Sequence, residues 1–168
     1  MKKLITLFLA LLLVFSASAL AEGKIGVAMP TQDLQRWNQD GANMKAQLEA
    51  AGYEVILTYS SNDVARQVSD LENMILNEVD VLVVASIDGS ALDTVLSQAK
   101  EEGIPIIAYD RLLTKTEAVD YYATFDNYMV GTIQGTYIKE RFDLDNVTEP
   151  LTIELFAGSP DDNNAYYF

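Results

Sequence analysis

Histidine and cysteine are both absent from the 168-residue sequence. Without cysteine there is no disulfide framework, no thiol nucleophile and no site for lipid attachment at a processed cysteine. Without histidine there is no imidazole base, and the usual Cys/His zinc sets are excluded. Basic residues are scarce: 11 Lys and Arg stand against 25 Asp and Glu, for a net charge of −14. That balance argues against nucleic acid and against anionic membrane surfaces as partners, since both select basic patches. No G-x-S-x-G elbow, Walker loop or G-x-G-x-x-G fingerprint occurs, which removes the commonest sequence signals of hydrolases, nucleotide-binding enzymes and dinucleotide-binding enzymes. Paired carboxylates of the glycosidase type remain. The adjacent Asp161 and Asp162 are the obvious pair, but nothing marks one as an acid and the other as a base. Low-complexity linkers and short-period repeats are missing as well. These absences favour a binding protein over an enzyme, and no cofactor or metal is expected.

The one long apolar run lies at the start. Met1-Lys2-Lys3 is positively charged, Leu4 to Phe15 is almost unbroken apolar sequence, and Ser16 to Ala21 supplies small residues in an A-x-A pattern. This order reads as a secretory signal peptide over residues 1–21. The run is too short for a spanning helix, which needs about 20 apolar residues. The expectation is export to the periplasm and a mature chain that does not span the membrane. Loss of Lys2 and Lys3 takes the net charge of −14 to −16. Residues 22–168 suffice for one ordinary hydrophobic core. At the other end, Ala165-Tyr166-Tyr167-Phe168 puts three aromatics after a polar loop. They look like the opening of another buried element, so the chain is expected to be truncated.

Between the ends, apolar patterning alternates between two periods. Strands are expected at Lys24–Ala28, Glu54–Tyr59, Asp80–Ala85, Ile104–Tyr109, Tyr121–Phe125 and Thr152–Phe156. Helices are expected from Arg36 to Ala51, from an Asp63 cap through Val64, Val68, Leu71, Ile75 and Val79, and from a Ser90 cap through Leu92, Val95, Leu96 and Ala99. A fourth runs from Met129 to Phe142, capped by Asp126-Asn127. Gly52 and Gly103 stop the first and third. Val81–Ala85 and Ile104–Tyr109 are apolar at successive positions, as in strands covered on both faces. The expected fold class is α/β, a three-layer αβα sandwich with a mainly parallel sheet.

In such sheets ligands bind outside the carboxyl ends of the strands. The first strand is followed by Pro30 to Trp37, the third by Ser86-Ile87-Asp88-Gly89, the fourth by Asp110-Arg111, and the sixth by Gly158 to Asn164. A monosaccharide presents an apolar C–H face and an edge of hydroxyls that both donate and accept. Asp only accepts, Arg only donates, Asn does both, and an aromatic ring covers the C–H face. Arg36, Trp37, Asp110, Arg111, Asp162 and Asn164 together supply every part, with Gln32 and Asp88 as secondary candidates. Neighbouring Arg and Asp also neutralise one another. Each residue has a plainer reading: Trp37 as core, Asp110-Arg111 as a surface ion pair, Asp162 and Asn164 as helix caps, Asp88 as a turn residue. Their joint placement after separate strands carries the binding reading.

Several segments also carry a family likeness. Arg36-Trp37, Leu71-Glu72-Asn73-Met74-Ile75, Ala85-Ser86-Ile87-Asp88-Gly89, Ile104 to Arg111, Tyr122 to Asn127 and Gly158 to Ala165 occur in order. They resemble the periplasmic sugar-binding proteins of ABC transporters, nearest to the D-xylose-binding and multiple-monosaccharide-binding types. The resemblance implies two α/β lobes closing on a sugar. Residues 22–157 would be the first lobe, and residues 158–168 the crossover into a truncated second. It implies that Trp37 is one wall of an aromatic sandwich and that Arg36, Asp110, Arg111, Asp162 and Asn164 bind the sugar. It also implies a membrane permease as partner, with a chemoreceptor or sensor kinase as a second partner class. A sugar-responsive transcription regulator shares the architecture, but the leader and the lack of an N-terminal DNA-reading helix pair argue against it.

Overall fold

The computed structural model describes residues 23–166, so the leader reading of residues 1–21 lies outside them. The chain alternates strand and helix: β1 Lys24–Met29, α1 Gln35–Ala50, β2 Glu54–Tyr59, α2 Val64–Leu76, β3 Val81–Val84, α3 Asp93–Glu101, β4 Ile106–Tyr109, β5 Tyr121–Ala123 and α4 Asn127–Arg141. A single 3-10 turn, Asn163–Tyr166, closes it. Five strands form one sheet in the order β2-β1-β3-β4-β5. Every pairing is parallel, with Val27 opposite both Leu57 and Val83.

The period-2 side-chain alternation of a strand explains the continuous apolar runs. Ala28, Leu82, Val84, Ile106 and Ala108 point to one face, where Leu71 and Met74 of α2 and Val95 and Leu96 of α3 cover them. Val27, Met29, Val83 and Ala85 point to the other, under Trp37, Met44 and Leu48 of α1. Three layers result, as the pattern predicts. The Asp63 and Asp126 carboxylates each accept the backbone N–H three residues on, as caps should. Gly52 and Gly103 both take positive φ just past their helices. Among the described residues, no helix is long and apolar enough to cross a membrane.

Three expectations fail. Ser90 does not cap α3: its amide and hydroxyl both bond the Asp88 carboxylate at 2.7 Å, and Leu92 stands at the cap without a side-chain bond. The local Asp turn, two residues long, outcompetes the cap. Val79 is not helical. Glu78 turns left-handed at φ 55°, and Val79 folds back into the core at 2 % exposure. Thr152–Phe156 is not a strand. Leu155 and Phe156 are 93 % and 91 % exposed. A strand exists only through its pairing, and the edge strand β5 offers three residues that are themselves exposed. Helix α4 likewise buries none of its residues.

Candidate functional site

The strand order reverses on either side of β1, and the crevice beyond the carboxyl ends of β1, β3 and β4 lies at that reversal. Asp110 organises it. The residue follows β4 directly with φ 63°, a region uncommon for any residue but glycine. The Arg111 amide donates to the Tyr109 carbonyl at 2.7 Å across it, which makes a γ-turn. Such backbone costs about 1–3 kcal/mol. Three donors converge on the Asp110 carbonyl and offset that cost: the Tyr122 hydroxyl at 3.1 Å, the Thr124 hydroxyl at 2.9 Å and the Asn164 amide at 3.2 Å.

The Asp110 side chain is 3 % exposed, and its Oδ1 accepts from Arg36 Nη2 at 2.5 Å. Its Oδ2 accepts from Asn164 Nδ2 at 3.3 Å. Arg36 stands in the first turn of α1, where Asp40 lies one turn on, 3.4 Å from Arg36 Nε. The Tyr109 hydroxyl donates to Asp40 at 3.1 Å. Burial alone would lower the Arg36 pKa. The Asp110 hydrogen bond and the charges of Asp110 and Asp40 outweigh it, so the pKa rises. Burial raises the Tyr109 phenol, and the Asp40 charge and hydrogen bond add to it. One guanidinium is thus fixed between two carboxylates.

Arg111 forms the second ionic pair. Its Nη2 lies 2.9 Å from Asp162 Oδ2, and its Nη1 donates to the Ser86 and Ile87 carbonyls at 2.9 and 3.4 Å. Trp37 lies beneath both pairs. The Arg36 guanidinium stands 4.5 Å and the Arg111 guanidinium 5.3 Å from its ring centre, within cation–π range. The indole is 3 % exposed and packs in the sheet's second core cluster. It is therefore a core residue that also carries two cations.

The structure brings Arg36, Trp37, Asp110, Arg111, Asp162 and Asn164 into one cluster. Asp162 serves two partners: Oδ2 pairs with Arg111, and Oδ1 accepts the Asn164 amide at 3.0 Å. Asn164 is 3 % exposed and also accepts from Asn127 at 3.1 Å. The two secondary candidates make other bonds. Gln32 is exposed, and its carbonyl accepts from Asn38. Asp88 spends its carboxylate on Ser90. Sequence reasoning missed Tyr109, Asp40, Tyr122, Thr124 and Phe125. Thr124 and Phe125 follow the carboxyl end of β5 at Ala123; the expected strand ran on to Phe125 and so hid them.

A cleft of about 300 Å³ opens beside the cluster, lined by Arg36, Tyr109, Asp110, Ala123, Thr124 and Phe125. That is the low end of small-ligand sites, about 300–1,000 Å³. A larger hollow of about 790 Å³ lies between α3 and residues 114–118. None of the six clustered residues lines it. Its lining sets Lys100 and Lys115 among Asp93, Glu101 and Glu117 on an open surface, so the smaller cleft, which the cluster borders, is the candidate.

Known proteins show the same arrangement of sequence. Residues 25–168 match the family of the periplasmic binding protein domain. The chain is 51 % identical over 144 residues to the multiple sugar-binding periplasmic protein SbpA of Azospirillum brasilense, a match covering 86 % of this chain and 40 % of that one. It is 49 % identical over 152 residues to the multiple sugar-binding periplasmic receptor ChvE of Rhizobium radiobacter, covering 90 % and 43 %. Among solved structures, an ABC transporter solute-binding protein from Clostridium phytofermentans with bound β-D-glucose superposes with a TM-score of 0.84. Its identity is 62 %, over 86 % of this chain and 44 % of that one. The chain thus spans less than half the length of the relatives it matches. The parallel sheet, the crevice at its reversal and a family match from the first strand to the last residue agree: the chain belongs to the periplasmic binding protein family.

Proposed function

We propose that this chain supplies one wall of a monosaccharide site in the substrate-binding component of an ABC-type sugar transporter. It would capture an aldopentose or aldohexose in the periplasm and deliver it to a membrane permease, with no chemical step. On this reading residues 1–21 are the export signal, residues 22–157 the first lobe, and residues 158–168 the passage to a second lobe that closes over the sugar. The observation that carries the reading is the charge-compensated cluster of Arg36, Asp110, Arg111 and Asp162 over Trp37. No ion in it is unpaired, yet Arg36 is half exposed and borders the cleft. Sugar hydroxyls bind best to such groups, because bonds to charged partners are about twice as strong as neutral ones. Arg36 reaches Asp110 through Nη2 and faces Asp40 through Nε, leaving Nη1 to meet a ligand oxygen. For the sugar's C–H face to reach the buried indole of Trp37, Arg36 would have to leave the position it holds between Asp110 and Asp40. The solved relative at 62 % identity holds β-D-glucose, which supports the ligand class.

Hydrogen bonds from both lobes would favour the closed form by binding it more tightly than the open one. A dissociation constant near micromolar corresponds to about −8 kcal/mol, within reach of a few charge-assisted bonds and one stacked ring. Calorimetric titration of the full-length protein against xylose, arabinose, glucose and galactose tests the reading, with Trp37→Ala and Asp110→Ala beside the parent. Binding as tight in both variants as in the parent would remove the assigned site. Turnover of labelled glycosides would remove the binding-only reading.

A further inference from the structure

Gln67 sits on α2 with 0 % exposure, among Leu71, Met74 and Ile75 on the buried face of that helix. A buried amide in an apolar setting costs free energy unless fully bonded, and an apolar side chain of the same shape would fill the space without that cost. Both ends of this amide go to one stretch of backbone. Nε2 donates to the Ala85 carbonyl at 3.0 Å, and Oε1 accepts the Ile87 amide at 2.9 Å. These two groups flank Ser86, just past the end of β3 at Val84. The carbonyls of Ser86 and Ile87 are the ones that hold Arg111 Nη1. A chain of direct contacts therefore runs from α2 through residues 85–87 to the guanidinium over Trp37.

We infer that Gln67 is a positioning residue for Arg111. It fixes the two carbonyls that orient the guanidinium, and so sets where the remaining amino group meets Asp162 and a ligand oxygen. It acts from the sheet face opposite Trp37 and touches no ligand. The link to affinity rests on the sugar-binding reading; the link to Arg111 does not.

The test uses Gln67→Met, which keeps the length of the side chain and removes both bonds. Trp37 is the only tryptophan in the sequence, so indole emission reports on the cluster alone. The Arg111 Nε–H resonance reports on the guanidinium itself. Gln67→Met should shift both signals in protein that circular dichroism shows to be folded. Leu71→Ala, one turn along the same helix, should shift neither under native conditions. Unmoved signals in Gln67→Met, or equal movement in Leu71→Ala, would overturn the inference. Should Gln67→Met fail to fold, Gln67→Asn provides the same comparison, because it keeps an amide too short to span both groups.

In the full-length protein, D-glucose affinity should fall roughly tenfold in Gln67→Met, the size of one weakened charge-assisted bond. The loss should vanish when Arg111→Met is already present, since coupled residues are non-additive. Additive losses would overturn the inference. A parent that binds none of the four aldoses, with the emission shift intact, would strike the sugar reading and leave the hold of Gln67 on Arg111 supported.

Discussion

Asp110 serves its neighbours through two separate groups: its carboxylate pairs with Arg36 and its carbonyl collects three donors. Replacing it by Asn keeps the shape and removes the charge. Asp110→Asn should lower stability by about 1.5–3 kcal/mol, the range of a hydrogen bond to a charged group, read as a shift in the denaturant midpoint. Tyr109 offers a pH test. A tyrosine ordinarily ionises near 10.0, and burial raises this one. The folded state therefore binds the proton more tightly than the unfolded chain. Its stabilising effect is complete below the ordinary value and lost as pH climbs through the folded pKa. Unfolding curves at rising alkaline pH should decline less steeply in Tyr109→Phe than in the parent. The sequence marks Asp110-Arg111 by position after a strand. The γ-turn beneath them was not legible, because the bonds that hold it come from Tyr122, Thr124 and Asn164, 12, 14 and 54 residues away.

Elements dock here by close approach. The segment carrying Asp162 and Asn164 lies against Gly89, where a Cβ would stand 2.2 Å from Asn163 Nδ2 and 2.6 Å from the Leu112 carbonyl. Gly89→Ala should lift this segment from the rim and speed hydrogen exchange of the Asn164 amide, with the sheet protected as before. By contrast, Leu96 of α3 is fully buried, and Leu96→Ala should cost about 2–5 kcal/mol in the denaturant midpoint. The four helices and five strands were all expected; for α1–α3 and β1–β4 the reason is that burial on two faces or one writes itself into apolar spacing, whereas α4 and β5 carry such spacing without being buried. What failed depended on partners instead of pattern. Thr152–Phe156 has the alternation of a strand and no strand beside it. Ser90 has the chemistry of a cap and a nearer carboxylate. Gln67 went unread because a lone polar residue on an apolar stripe gives no hint of which backbone it serves.

At the scale of the molecule, charge and apolar surface pull in opposite directions. The acidic excess gives a pI of about 4.1, and like charge keeps copies apart at neutral pH. Helix α4 and the segment after it expose Tyr128, Ile133, Tyr137, Leu155 and Phe156. As pH falls toward 4.1 the repulsion fades, so light scattering should rise to a maximum there and subside when salt-free buffer at neutral pH is restored. Among the described residues all five strands of the sheet are in the chain by Ala123, whereas Asp162 and Asn164, which tie down Arg111 and Asp110, come some forty residues later. A polypeptide made from its amino end therefore possesses a finished scaffold well before it possesses a finished rim. On the proposed reading the recognition rim is the last part this stretch acquires, and a chain arrested short of Asp162 should keep its layers while leaving Arg111 without its carboxylate.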